Sequence, residues 1–218
     1  MIISRWLTLT TLAAATPVQA GLLGQNPYAA PLDIPAIRAF VGAEGLGRLH
    51  ENAPAETQEF GRLVGVWNVT DVEMQGPNGQ WVPSAPAVWV WKYTIDGFAV
   101  QDLFYQAADR LPTYMGTLGR DYMLTAMRIF DARAGQWKVA WMANGAGKVP
   151  GQDFGTFVAR MEGEELIMTS PGGDGAPLQR VVFSDFTGDS FRWRSEYSAD
   201  GGTNWTTVMR LRAERSIG

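Results

Sequence analysis

The 218-residue chain contains no cysteine, one histidine and three lysines. Without cysteine there is no disulfide, no thiolate nucleophile and no lipidation at a cleavage-site cysteine. The one histidine, His50, lies in a stretch without regular periodicity, so a histidine-dependent triad requires that stretch to fold over the rest of the protein. Gly-x-Ser-x-Gly and Ser-x-x-Lys are absent, and Gly145-Ala146-Gly147-Lys148 lacks both the upstream glycine and the Ser/Thr of a phosphate-binding loop. Asp185, Asp189 and Asp200 stand where turns need them rather than in an alternating acidic loop, so no metal is expected. A formal net charge of −4 leaves no clustered positive charge for nucleic acid or an anionic membrane.

Long apolar runs are also missing. Trp6 to Thr16 is too short to span a bilayer, so no integral membrane association is expected. Behind the positive Met1–Arg5 and ahead of the small-x-small Val18-Gln19-Ala20, that run predicts a signal peptide over residues 1–20, cleaved before Gly21. Export without disulfides suits a bacterial periplasmic or secreted protein. Asn68-Val69-Thr70 and Asn204-Trp205-Thr206 match the glycosylation sequon, but both fall inside predicted strands.

What the chain does have is β-grammar. Leu178 to Phe186, Phe191 to Ser198 and Trp205 to Arg212 alternate residue type at period two, and Gly and Asp separate them. The turn Ala199-Asp200-Gly201-Gly202 is a tight hairpin in which a glycine takes φ > 0. The same pattern predicts strands near 65–74, 87–96, 98–106, 124–131, 136–143, 154–162, 164–169, 178–186, 190–198 and 204–212. Residues 21–52 are rich in Ala, Pro and Gly and read as an irregular arm or linker with one short helix at Pro35–Val41. Pro54–Leu63 reads as a second helix, with Pro in its first turn and Arg62 late, feeding the first strand. With no helical period between strands, the expected fold is all-β: a single antiparallel up-and-down barrel of about ten strands over residues 53–218.

Phe60-Gly61-Arg62-Leu63-Val64-Gly65-Val66-Trp67 resembles the opening of calycin barrels, a short helix followed by Gly-x-Trp on the first strand. The later run Met127-Arg128-Ile129-Phe130-Asp131, Gln136-Trp137 and Trp141, then Gln179-Arg180, Phe191-Arg192-Trp193, Ser198 to Gly202 and Trp205, is similar to bacterial lipocalin-like domains of the kind labelled DUF1579. The resemblance covers about residues 58–213 and implies a calycin-like barrel, without implying a reaction. It gives Gly65 and Trp67 a structural role, with Trp67 plugging the closed end beside an arginine of a late strand, Arg210 or Arg212. Nitrobindin-like calycins hold haem through a histidine; no predicted strand carries one, and no cofactor is expected.

Of nine tryptophans, Trp67, Trp81, Trp89, Trp91, Trp137, Trp141, Trp193 and Trp205 follow the leader. Trp89, Trp91 and Tyr93 share one strand face, as do Trp137 and Trp141, and Phe191, Trp193 and Tyr197. Such faces either fill a barrel or wall a cavity for an apolar or aromatic molecule. Trp91, Tyr93, Trp141 and Trp193 are therefore the candidate ligand-binding residues. Arg128 joins them: it shares a face with Phe130 while the other face carries Met127 and Ile129, so burial there would let it hold a carboxylate, as interior arginines do in fatty-acid-binding calycins. Arg160, Arg180, Arg192 and Arg194 read as a solvated outer face, with Arg194 and Glu196 in surface ion pairs with their cross-strand neighbours. Asp71, Glu73 or Asp102 inside the barrel could serve as acid or base. The function expected is binding of a small hydrophobic or aromatic, optionally carboxylated, molecule. The alternatives are a cofactor-independent lyase, isomerase or hydratase in the same cavity, and an interaction module whose barrel is filled.

Overall fold

A computed structural model describes residues 28–76, 78–111, 120–144, 154–170 and 178–216; the predicted signal peptide and the Gly145–Lys148 loop lie outside them. Two short helices, α1 (Pro35–Val41) and α2 (Thr57–Gly61), precede β1 (Gly65–Gln75), β2 (Trp81–Pro83), β3 (Ala87–Thr94), β4 (Ala99–Gln106) and β5 (Tyr122–Asp131). The chain continues through β6 (Gln136–Ala143), β7 (Phe154–Glu162), β8 (Glu165–Thr169), β9 (Leu178–Ser184), β10 (Ser190–Ser198) and β11 (Thr206–Arg215). From β3 each strand pairs antiparallel with the next, β1 pairs with β3, and β11 returns to β1, with Trp67 opposite Arg215. Ten strands thus close an all-β up-and-down barrel, leaving β2 as a spur on β1. Closure leaves the ten strands no unpaired edge.

Several strand ends differ from the sequence pattern by one to three residues, and two of the differences matter. β9 stops at Ser184, because Asp185 adopts φ +52 and turns the chain. β11 runs on to Arg215, so the arginine that meets Trp67 is neither Arg210 nor Arg212. The Arg215 guanidinium carbon lies 4.2 Å from the Trp67 ring centre, whereas Arg210 covers Trp81 and pairs with Glu73 at 2.7 Å. A Cβ on Gly65 would collide with the Arg215 guanidinium, which is the physical content of Gly-x-Trp here. Arg215 donates to the carbonyls of Val64 (3.0 Å) and Gly188 (2.9 Å), tying the first strand's start to the β9–β10 turn.

Within β1, Asp71 takes φ +51 and the register shifts between Thr70 and Glu73. This bulge turns Asp71 to solvent and puts Val72 on the inner face after Val69. Asp71 is therefore not an interior acid, and Glu73 is engaged by Arg210.

The Asp200-Gly201-Gly202 turn has the expected backbone, with φ +73 at Gly201 and +92 at Gly202. The Asp200 carboxylate accepts from the Asn204 backbone N–H (2.8 Å), the Ser198 hydroxyl (2.7 Å) and the Asn204 amide (2.6 Å), which hold its pKa at about 2. The Trp205 indole donates to the Gly202 carbonyl at 3.0 Å.

The arm explains why β3 and β4 are apolar on both faces. Val88, Val90, Leu103 and Tyr105 point outward and would be wet, but Tyr28 and Ile37 pack over them. The Lys92 ammonium fastens α1 by donating to the Phe40 carbonyl at 2.6 Å, near the negative end of that helix. The β3–β4, β5–β6, β7–β8 and β9–β10 turns lie at one barrel end, which α2 closes; the opposite end, where β4, β6, β8 and β10 finish, is the mouth end.

Candidate functional site

The barrel interior is graded from a solid closed half to a looser open half. At the closed end α2 inserts Phe60, with Leu63 just behind it, both essentially unexposed. The Phe60 ring centre lies 4.8 Å from Trp137, 6.0 Å from Phe183 and 6.1 Å from Trp91, and Trp67 meets Phe191 at 4.8 Å. Glu59 fixes the helix by accepting from the Trp137 indole at 2.8 Å, and Trp67 donates to the Leu63 carbonyl at 2.7 Å. Edge-to-face and offset packing of this kind fills space as densely as a crystal.

Inside these rings sits a charged pair. Asp102 is wholly buried and Arg128 is 2 % exposed, with Nη2 of Arg128 3.2 Å from Oδ2 of Asp102. Alternation puts both inside, since Asp102 shares parity with Val100 and Phe104, and Arg128 shares it with Ala126 and Phe130. The Asp102 carboxylate also accepts from the Trp89 indole (2.7 Å) and the Ala126 backbone N–H (2.6 Å). The guanidinium lies 4.3 Å from the Trp91 ring centre and 5.0 Å from that of Phe60. Two buried donors of this layer, Nε of Arg128 and Nε1 of Trp91, have no acceptor among the described residues.

The open half is lined differently. Trp141, Leu124, Trp193 and Met209 are half-buried against the core, above a floor of Trp89, Phe104, Phe157, Met168 and Val181. Trp193 stands 6.4 Å from Trp89. Trp141 lies flat on β7, where a Cβ on Gly155 would come within 2.5 Å of its indole nitrogen. Gln179 donates to the Ser195 hydroxyl at 3.3 Å, placing an uncharged polar pair on the inner wall.

The proposed ligand residues therefore fall in three places. Trp91 and Arg128 touch each other in the closed half, and Trp141 and Trp193 belong to the open half. Tyr93 is half-buried at the closed end, its hydroxyl occupying the space that a side chain at Gly61 would take. Tyr197, which shares the parity of Phe191 and Trp193, is 42 % exposed at the β10 terminus. Sequence reasoning placed Arg128 inside without its partner. The signal was an acid, Asp102, at an inward position of an apolar strand.

Outside the barrel, Glu196 is nearly buried, bonded to Arg180, and joined to Arg194 at 3.1 Å and Thr207 at 3.1 Å; Arg194 continues to Glu165 at 2.9 Å. Burial pushes the Glu196 carboxyl up, but the Arg180 hydrogen bond and the two guanidinium charges outweigh it and hold the group below its usual range. This five-residue network contains the expected cross-strand pair, Arg180 with Glu196, and extends it. A cleft of about 830 Å³ lies between residues 39–48 and 92–97. It is open loop surface on the closed end, and of its two cations, Arg48 and Lys92, the second is committed to α1. Among the described residues no group of three His, Asp or Glu side chains could hold a metal ion, and no helix is long and apolar enough to cross a membrane. No family model matches the chain, and no curated protein matches it.

Proposed function

We propose that this chain is a lipocalin-like, exported carrier or sensor that takes a small apolar or aromatic molecule through the barrel mouth, between Trp141 and Trp193. The observation that carries this reading is the gradient of burial among the interior tryptophans. Trp67, Trp91 and Trp137 are at most 1 % exposed, whereas Trp141 and Trp193 are half-buried. Half-wet rings over an apolar floor release water when a ligand covers them, and every such Å² contributes roughly 25 cal/mol.

The ligand is uncharged in this reading. Arg128 is already compensated by Asp102, so a carboxylate would have to displace an internal partner to gain it. The same pairing argues for binding over catalysis: both Asp102 oxygens are engaged, by Trp89, Ala126 and Arg128, leaving no free acid–base couple among the described interior side chains.

Titration with the neutral probe N-phenyl-1-naphthylamine tests this. Saturation at one site per chain with a change in tryptophan emission is expected, and a carboxylated analogue should bind no more tightly. Absence of saturable binding would instead favour the filled-barrel interaction module, which the dense closed half also supports.

A further inference from the structure

The outer face of β5, β6 and β7 carries an apolar grid. In register across the three strands stand Thr125, Met142 and Phe154, then Met127, Ala140 and Thr156, then Ile129, Lys138 and Val158. Five of the eight large hydrophobic side chains exposed among the described residues are on this grid: Met127, Ile129, Met142, Phe154 and Val158. The other three, Leu32, Ile95 and Tyr197, lie elsewhere on the chain.

We propose that this face joins two copies of the chain across a twofold axis. A twofold interface needs a surface that complements itself, and this one offers a projection beside a recess. Phe154 is the most exposed of the eight, at 58 %. Next to it, at the mouth edge of β4–β6, is a groove of about 280 Å³ lined by Leu103, Met123, Thr125 and Met142 among others. Met142 is both the cross-strand neighbour of Phe154 and a wall of the groove. Two copies can therefore exchange Phe154 side chains about an axis passing between ring and groove. The recess also continues an interface the fold already uses, since Leu103 and Met123 belong to the cluster that Tyr28 and Ile37 cover.

Charge points to the same occupant. The ions on and beside the grid are neutralised within the chain, Lys138 by Asp131 at 2.6 Å and Arg160 by Glu162 at 2.8 Å, so two copies meet without like-charge repulsion. An anionic membrane is not served by a chain of net charge −4. Three strands about 4.8 Å apart and three outward positions each give an apolar centre of roughly 300 Å². A patch of that size can form the core of a standard interface of about 800 Å² per partner.

Sedimentation velocity on the full chain across micromolar to millimolar concentrations tests the proposal. A monomer–dimer equilibrium is expected for the wild type. Phe154→Glu and, independently, Met127→Glu should each raise the dissociation constant at least about tenfold, while Leu32→Glu, off the grid, leaves it unchanged. All three sites are solvent-exposed in the monomer, and unchanged thermal melts confirm that each variant is folded. A monomer at every concentration overturns the proposal. So does a dimer that both grid variants leave intact.

Discussion

Arg128→Met is expected to lower the unfolding free energy by about 3–5 kcal/mol, because it strips a wholly buried carboxylate of its cation. The loss is not the strength of the Arg128–Asp102 bond. It is the cost of leaving Asp102 charged among Trp89, Trp91 and Phe60 with only the Trp89 indole and the Ala126 N–H for company. Adding Asp102→Asn should therefore help rather than harm. Asparagine keeps an acceptor for one of those donors and removes the stranded charge, so the double variant is expected to regain roughly 1–3 kcal/mol over Arg128→Met alone. Urea unfolding of the wild type and the two variants gives both numbers. A single-variant cost below about 1 kcal/mol, or a double variant less stable than Arg128→Met, would show that the pair is not the buried unit described here.

Phe60→Ala is expected to cost about 3–5 kcal/mol, although it changes a residue in a five-residue helix outside the sheet. Phe60 is unexposed and meets Trp137, Phe183 and Trp91, and its ring faces the Arg128 guanidinium. Its removal leaves a cavity lined by rings that cannot collapse inward, and it lets water reach the charged pair from the closed end. Leu32→Ala, at a residue half exposed on the arm, should change stability by no more than about 0.5 kcal/mol. Equal effects at the two positions would mean that α2 is not the barrel's plug.

The fold was legible because its signals are local. Period-two alternation, glycine at the turns and one helix before Gly65-x-Trp67 each act within a few residues, and together they give the strand number and the closure. The bulge at Asp71 was not legible: a single left-handed residue moves Asp71 from the inner to the outer face, and nothing in the strand's alternation announces it. The partner of Trp67 was missed for a related reason, since β11 extends three residues beyond the obvious pattern and only the β1–β11 register brings Arg215 to the ring. The site was half legible. Parity placed Trp91, Arg128, Trp141 and Trp193 inside, but depth along the barrel axis is a property of tilt and register among ten strands. That depth separates the packed Trp91–Arg128 layer from the half-open Trp141–Trp193 layer. The Asp102–Arg128 pairing is likewise a long-range fact, made by two adjacent strands whose register no single segment encodes.

The depth of the rings also supplies the most direct test of ligand binding at the mouth. Each indole N–H gives its own signal in a heteronuclear correlation spectrum, so the eight tryptophans from Trp67 to Trp205 form a gauge along and around the barrel. On saturation with N-phenyl-1-naphthylamine, the Trp141 and Trp193 signals should move most and Trp89, on the floor, should move less. Trp67, Trp91 and Trp137 in the closed half should stay in place, as should Trp81 and Trp205, which lie beneath the guanidinium groups of Arg210 and Arg180. Shifts confined to Trp81 or Trp205, or a spectrum unchanged by saturating probe, would contradict a binding site in the open half of the barrel.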